Sequence, residues 1–328
     1  MTLVLTSLAA ASPGFAVRVG TSVLQVAVVA VAGPLLLGLM AKVRARAEGR
    51  VGPPVVQVLA DLRKLVGKEA VRAEHTSVVT SLAPLVLVAS AMVTAALTPL
   101  VTTHPVLASG ADVFVVVYLL LMGSVALALD GLDAGTAFGG MGSSRAMTIG
   151  AISEPALLVA ILALAVQART SNLPAIVAAT LAHPSWLASP QRLLALVALV
   201  VVVIAETGRI PVDNPSTHLE LTMVHEAMVL EHGGPDLALV TAGEAMRLAV
   251  LLGLVANLFL PWGIDSSGSG GALLVGVVVL GAKLAALAGL VALVEVSTAK
   301  LRLFRVPELL AGGFVLAVVA VTTGLVTR

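Results

Sequence analysis

The sequence predicts an all-α, polytopic membrane protein with eight transmembrane helices and one amphipathic helix on the membrane surface. Three observations predict it. Of the 328 residues, 59% are hydrophobic and only 11% are charged, against about 25% charged in soluble domains. Apolar runs near the roughly 20-residue length of a membrane span recur along the chain. Lysine and arginine gather in alternate connections. Residues 1–328 read as a single transmembrane domain.

The elements follow in order. The opening residues are small and apolar like a signal peptide but lack its positive start, so they read as a lead-in to the first span. That span, 16–40, carries Arg18 near its start and is then uncharged until Lys42. Within the connection after it, Val55, Val58, Leu59, Leu62, Leu65 and Val66 recur at helical spacing, with Gln57, Asp61, Lys64 and Lys68 elsewhere. This pattern predicts an amphipathic helix over 51–69, stopping near Gly67 and lying on the membrane surface or on a neighbouring subunit. Spans two and three cover 78–100 and 112–129. The glycine-rich stretch "FGGMGSSR", 138–145, reads as backbone turns before span four, 147–168. A short helix is expected between there and the breaks at Pro184 and Pro190. Span five, 192–205, is short; it either ends before Glu206 or runs past it with that side chain facing protein. Spans six to eight cover 245–264, 272–294 and 309–326, leaving 206–244 as an acidic loop.

Basic residues orient the chain. One set of connections holds 14 lysines and arginines, eight of them between spans one and two, and the opposite set holds four. The richer side faces the cytoplasm. Both termini are then outside a plasma (inner) membrane, and the loop between spans five and six is cytoplasmic. A net charge of +1 gives no reason to expect nucleic acid; the expected surroundings are lipid bilayer and protein.

That loop concentrates the chemistry. "AETGRIPVDNPSTHLELTMVHEAMVLEHGG" runs from 205 to 234, and seven of the 18 acidic residues lie between 206 and 247. Metal binding fits poorly. His225-Glu226 would need a histidine at 229 to make H-E-x-x-H, and the chain has Val229. His218, His225 and His232 recur every seven residues and drift around a helix axis; they read as packed loop histidines. With no cysteine, iron–sulfur clusters and thiolate zinc sites are excluded within this chain. No G-x-S-x-G is present, and Ser153 and Ser216 have no evident base. Carboxylates remain. Glu154 lies in span four and Glu295 at the end of span seven, with Lys283 also inside a span. A charge at helix centre costs about 2.5–3.5 kcal/mol, so such groups face the bundle interior and serve ion or proton paths. The structural alternatives are ion pairs: Lys283 with Glu295, Glu154 with Arg145, and Glu206 with Arg209 one helical turn on.

The loop 205–234 closely resembles the corresponding loop of the membrane subunits of formate hydrogenlyase and hydrogenase-4 complexes, relatives of subunit 1 of respiratory complex I. "EGRVGPPVVQVLADLRKLVGKE", 48–69, and "GLDAGTAFGGMGSSRAMTIGAISEPALL", 131–158, are similar to the same family, as are the eight spans and their orientation. The resemblance implies a membrane-anchoring, proton-path subunit with no redox cofactor and no catalytic residue of its own. It implies partners: hydrogenase large and small subunits and a ferredoxin-like iron–sulfur subunit, which carry the nickel–iron centre and the clusters, and antiporter-like membrane subunits. Residue by residue, it assigns the proton path to Glu154, Glu206, Glu220, Glu226 and Glu231, and loop ordering to Arg209 and Asp213. Arg50, Gly52 and Pro53 would border docking or quinone access. The family's alternative role is a quinone-site subunit of a complex I-like NADH-quinone oxidoreductase. Glu48 stands where the motif has glutamine, Val51 and Ala146 stand at the places of an arginine and a glutamate, and hydrogenase relatives can work without a quinone.

Overall fold

The computed structural model describes residues 14–74, 76–213 and 224–326. The N-terminal lead-in, Ser216, His218 and Glu220 lie outside the described residues. Among those described, eleven α-helices and no strand are present. They are α1 (Phe15–Ala47), α2 (Gln57–Val66), α3 (Val78–Leu97), α4 (Val113–Asp133), α5 (Ala137–Ala168), α6 (Leu173–Ala182), α7 (Pro190–Glu206), α8 (His225–Met228), α9 (Gly234–Phe259), α10 (Gly270–Ser297) and α11 (Val306–Val326). Among the described residues, seven helices are long and apolar enough to cross a membrane. The expected eighth, α7, has 17 residues, the lower limit for a span. The chain is therefore an all-α, multi-pass membrane protein.

Polar residues start the helices. Ser77, Asp112, Thr136, Asn172, Ser189 and Ser269 each accept a hydrogen bond from a backbone N–H of the following turn, satisfying donors that a helix leaves open. Thr136 starts α5 ten residues earlier than span four was expected, so the "FGGMGSSR" stretch is helical. Glycine suits it because neighbours approach closely: a Cβ at Gly139 would collide with the Gly131 carbonyl oxygen, and one at Gly142 would stand 2.8 Å from that of Val224. Likewise α9 starts at Gly234 rather than near 245, so the acidic stretch is loop only as far as Gly233.

The centre is α9. Of its apolar window 72% is buried, against 28% for α10 and α11. It packs on α1, α3, α7 and α10, while α5, α7 and α11 form a second group joined to α3 through α4. Gly33 of α1 lets the backbones of α1 and α9 meet; a Cβ there would collide with the Ala245 carbonyl oxygen.

The two ends of the bundle differ. At one end, Arg192 donates from Nη1 to the Leu258 carbonyl at 3.1 Å, and Lys283 donates to the Leu260 carbonyl and, at 3.1 Å, to Asn257 Oδ1. Both cations thus meet the negative end of the α9 dipole. Each also stands over an indole: Arg192 over Trp186 and Lys283 over Trp262. Lys283 therefore does not pair with Glu295. The two are twelve residues apart on one straight helix, about 18 Å at 1.5 Å per residue.

At the other end α2 lies against α1 and α9 of its own chain, shorter than 51–69 and with Asp61, Arg63 and Lys64 exposed. The segment after it crosses the start of α9. Arg72 Nε meets Asp236 Oδ2 at 2.7 Å, which raises the Arg72 pKa above its ordinary value through that hydrogen bond and charge. Gly234, at φ +58°, passes under the Glu69 carbonyl.

Candidate functional site

A cavity of about 330 Å³ opens at this second end, lined by parts of α1, α4, α5, α7, α8 and α9 and by the turn after α7. Its polar groups converge on Glu206, the last residue of α7. Ser153 of α5 donates its hydroxyl to Glu206 Oε1, and Arg247 of α9 donates from Nη2 to Oε2. The Glu206 side chain is 5% exposed and Arg247 13%. Three helices thus meet at one carboxylate, which is desolvated and fully partnered. Glu154, the next residue on α5, reaches back over Gly150 of the cavity wall and lies close enough to feel the charges of Glu206 and Arg247.

A second pair stands beside it. His225 Nε2 of α8 meets Glu244 Oε2 of α9 at 2.5 Å, and both line the cavity. Burial lowers the His225 pKa, but the charge and hydrogen bond of Glu244, with Glu226 and Asp213 adding, outweigh it, and the net direction is up. Glu244 and Arg247, three apart, project from one face of α9.

The turn after α7 is held from α10 and beyond. α7 ends at Glu206, and Gly208 at φ +58° reverses the chain. Arg209 therefore leaves the helix and does not pair with Glu206. Its Nη1 stands 3.7 Å from Glu295 Oε1, and Arg44 of α1 stands 3.4 Å from the other oxygen. Burial pushes the Arg209 pKa below the ordinary arginine value, against the pull of Glu295. Asp213 accepts from the backbone N–H groups of Val224 and His225, each at 3.2 Å, at the start of α8. It also pairs with Lys300 at 3.3 Å, and the Leu301 N–H donates to the Pro211 carbonyl at 2.9 Å.

Of the residues expected from sequence, Glu206, Glu226, Arg209 and Asp213 line the cavity and Glu154 adjoins it. Glu231 stands outside the lining, between α8 and α9. Glu220 lies outside the described residues. Arg50, Gly52 and Pro53 do not line the cavity. Arg50 is exposed and pairs with Glu48, and Gly52, at φ +73°, turns the chain against Ala45. Sequence reasoning missed Ser153, His225, Glu244 and Arg247 as members of the site. The available signal was the i, i+3 pair Glu244–Arg247 at the edge of an apolar run. Among the described residues no group of three or more His, Asp or Glu converges as a metal site.

The sequence model of the NADH dehydrogenase family matches residues 20–326. The chain is 33% identical over 287 residues to hydrogenase-4 component C of Escherichia coli (strain K12), covering 88% of this chain and 90% of that one. It is 31% identical over 297 residues to formate hydrogenlyase subunit 4 of the same organism, covering 90% and 95%. It is 30% identical over 263 residues to an NADH-quinone oxidoreductase subunit of Syntrophobacter fumaroxidans (strain DSM 10017 / MPOB), covering 75% and 78%. Its fold is similar to a chain in the structure of the membrane-bound sulfane sulfur reductase, an archaeal respiratory membrane complex, with a TM-score of 0.80, 21% identity and coverage of 93% and 98%. With the family's sequence model matched over nearly its whole length, the chain belongs to the NADH dehydrogenase family, and its relatives include components of hydrogenase-4 and of formate hydrogenlyase.

Proposed function

We propose that this chain is the membrane-anchoring, proton-path subunit of a membrane-bound nickel–iron hydrogenase complex of the hydrogenase-4 and formate hydrogenlyase kind. The observation that carries the reading is Glu206: a buried carboxylate shared by α5, α7 and α9 at the edge of a cavity, with Glu154 and Glu244 nearby. A carboxylate so placed can pass a proton between cavity and bundle, because it faces the cavity on one side and touches a bundle hydroxyl, Ser153, on the other, with further carboxylates at hand. Glu154, Glu220, Glu226 and Glu231 complete the proposed path, and Arg209 and Asp213 order the loop. The cavity end faces the cytoplasm in this reading, with both termini on the opposite side of the plasma (inner) membrane. The basic connection between α1 and α3 and the acidic loop beside it form the docking face. The large, small and ferredoxin-like subunits, holding the nickel–iron centre and clusters, would sit there; antiporter-like subunits would extend the path in the membrane. A cavity lined without Arg50, Gly52 or Pro53 favours the proton path over a quinone site bordered by them.

The test replaces Glu206 in the intact complex. Glutamine keeps shape and hydrogen bonding but cannot carry the proton; aspartate keeps the carboxylate about one methylene short. Hydrogen evolution and proton movement in sealed vesicles should fall strongly in Glu206→Gln and less in Glu206→Asp, with assembly unchanged. Full coupled activity in the glutamine variant would leave Glu206 a structural ion pair.

A further inference from the structure

A second buried acid–base pair stands behind the cavity wall. His232, in the turn between α8 and α9, donates from Nε2 to Asp130 Oδ2 of α4, across 102 residues of chain. Both side chains are 2% exposed. The other ring nitrogen, His232 Nδ1, is buried with no hydrogen-bond partner among the described residues, and so is the Ser143 hydroxyl of α5, which lies against Gly131, the neighbour of Asp130. Neither Asp130 nor His232 lines the cavity, but the residues packed around them do. Leu127, one turn before Asp130, and Met228 and Val229, one turn before His232, form one apolar cluster that faces it. The His232 N–H closes that turn on the Val229 carbonyl at 3.1 Å.

A buried polar atom without a partner carries a desolvation penalty. A site that only tied α4 to the loop would not need a nitrogen left open. The carboxylate fixes the tautomer: with Nε2–H held on Asp130, Nδ1 carries the lone pair of the neutral ring. Imidazole is the side chain that takes up and releases protons near neutral pH, and ionisable pairs inside membrane bundles mark proton paths.

We infer that His232, positioned by Asp130, is a proton-holding station on the α4 side of the cavity, separate from the Glu206 cluster and feeding the same path. This rests on the proton-path reading above. A proton taken up at Nδ1 makes an imidazolium whose charge Asp130 balances; its release restores the neutral ring, with Nε2–H unchanged throughout. The other charges nearby are committed. Asp236 is held by Arg72, Asp133 by Thr80 and the Ser77 N–H, and His225 by Glu244; Glu231 adjoins His232 in sequence.

The experiment compares H232Q with Glu206→Gln in the intact complex in sealed vesicles, following coupled turnover against pH. Glutamine can still donate to Asp130 but holds no proton. H232Q should assemble, lose coupled turnover on the order of a hundredfold, and lose one inflection of the pH profile that Glu206→Gln retains. Full turnover in H232Q, or a loss with the wild-type profile shape, overturns the proposal. Full turnover in Glu206→Gln alongside the expected H232Q result sinks the Glu206 reading and leaves His232 standing. If H232Q does not assemble, D130N/H232Q, which puts an amide pair in place of the histidine–carboxylate pair, decides: assembled and uncoupled upholds the station, while assembled and coupled, or unassembled, makes the pair purely structural.

Discussion

Arg247 on α9 holds Glu206 on α7 across 41 residues of sequence, and Ser153 on α5 holds the same carboxylate from the other side. The contact sits where three helices meet, so its removal is felt both in chemistry and in packing.

Arg247→Met leaves the Glu206 carboxylate buried without its cation. Breaking a buried pair from one side costs about 3–5 kcal/mol. The variant should give a less stable complex with little coupled activity. Arg247→Met combined with Glu206→Gln should recover thermal stability but not coupling. Melting of the purified complex measures the first and vesicle assays the second; a single variant as stable as wild type would show the pair to be unimportant to the fold.

Glu295 keeps Arg209 turned toward α10 while Glu244 also attracts it. Glu295→Gln should release Arg209 toward the cavity carboxylates and quench their charge. Coupled activity should drop, and adding Arg209→Gln should restore part of it. No recovery in the double variant would mean that Glu295 acts through something other than Arg209.

The His225–Glu244 pair should make the α8 region pH-sensitive. The folded pKa of His225 is raised, so the pair's stabilisation is complete below the ordinary histidine value of about 6.5 and is lost as pH rises through the raised value. Hydrogen exchange over 224–233 should therefore quicken, beyond the intrinsic chemical rate, as pH rises from about 6.5 through that raised value. His225→Gln should remove that excess. An excess unchanged in the variant would assign the sensitivity to another group.

Gly33 tests the α1–α9 crossing. An added methyl would collide with the Ala245 carbonyl, and backbone cannot step aside cheaply. Gly33→Ala should destabilise the protein by about 1–3 kcal/mol, read as a lower Tm. Gly20→Ala on the same helix, where nothing lies within 4 Å, should have no such effect. Equal melting temperatures would mean the crossing tolerates separation.

The spans were legible because lipid demands long apolar runs with satisfied backbone. The site was legible only in part. Glu206 could be found because it ends such a run. Its partner could not: Arg209 is one helical turn away in sequence, yet the helix stops at Glu206 and Gly208 turns the chain aside. Glu244 and Arg247 were hidden for a related reason. Glu244 stood in the expected loop and Arg247 at the very start of the expected span, whereas α9 begins at Gly234 and carries both residues on one face into the bundle. Asp130 and His232 lie 102 residues apart, and no local pattern joins them. The glycines of "FGGMGSSR" looked like turns because open space favours that reading; here the space is filled by Val224, Ala227 and Gly131.

The far end of α9 has a mechanical consequence. With Arg192 and Lys283 anchoring the carbonyls of Leu258 and Leu260 and Arg72 holding Asp236, α9 is a rod clamped at both ends. Asp236 lies about 33 Å from Leu258 at 1.5 Å per residue. A load on the cavity end would thus reach the Leu258 end through the whole length of the helix, and loosening that anchor with Arg192→Met would let the rod slide.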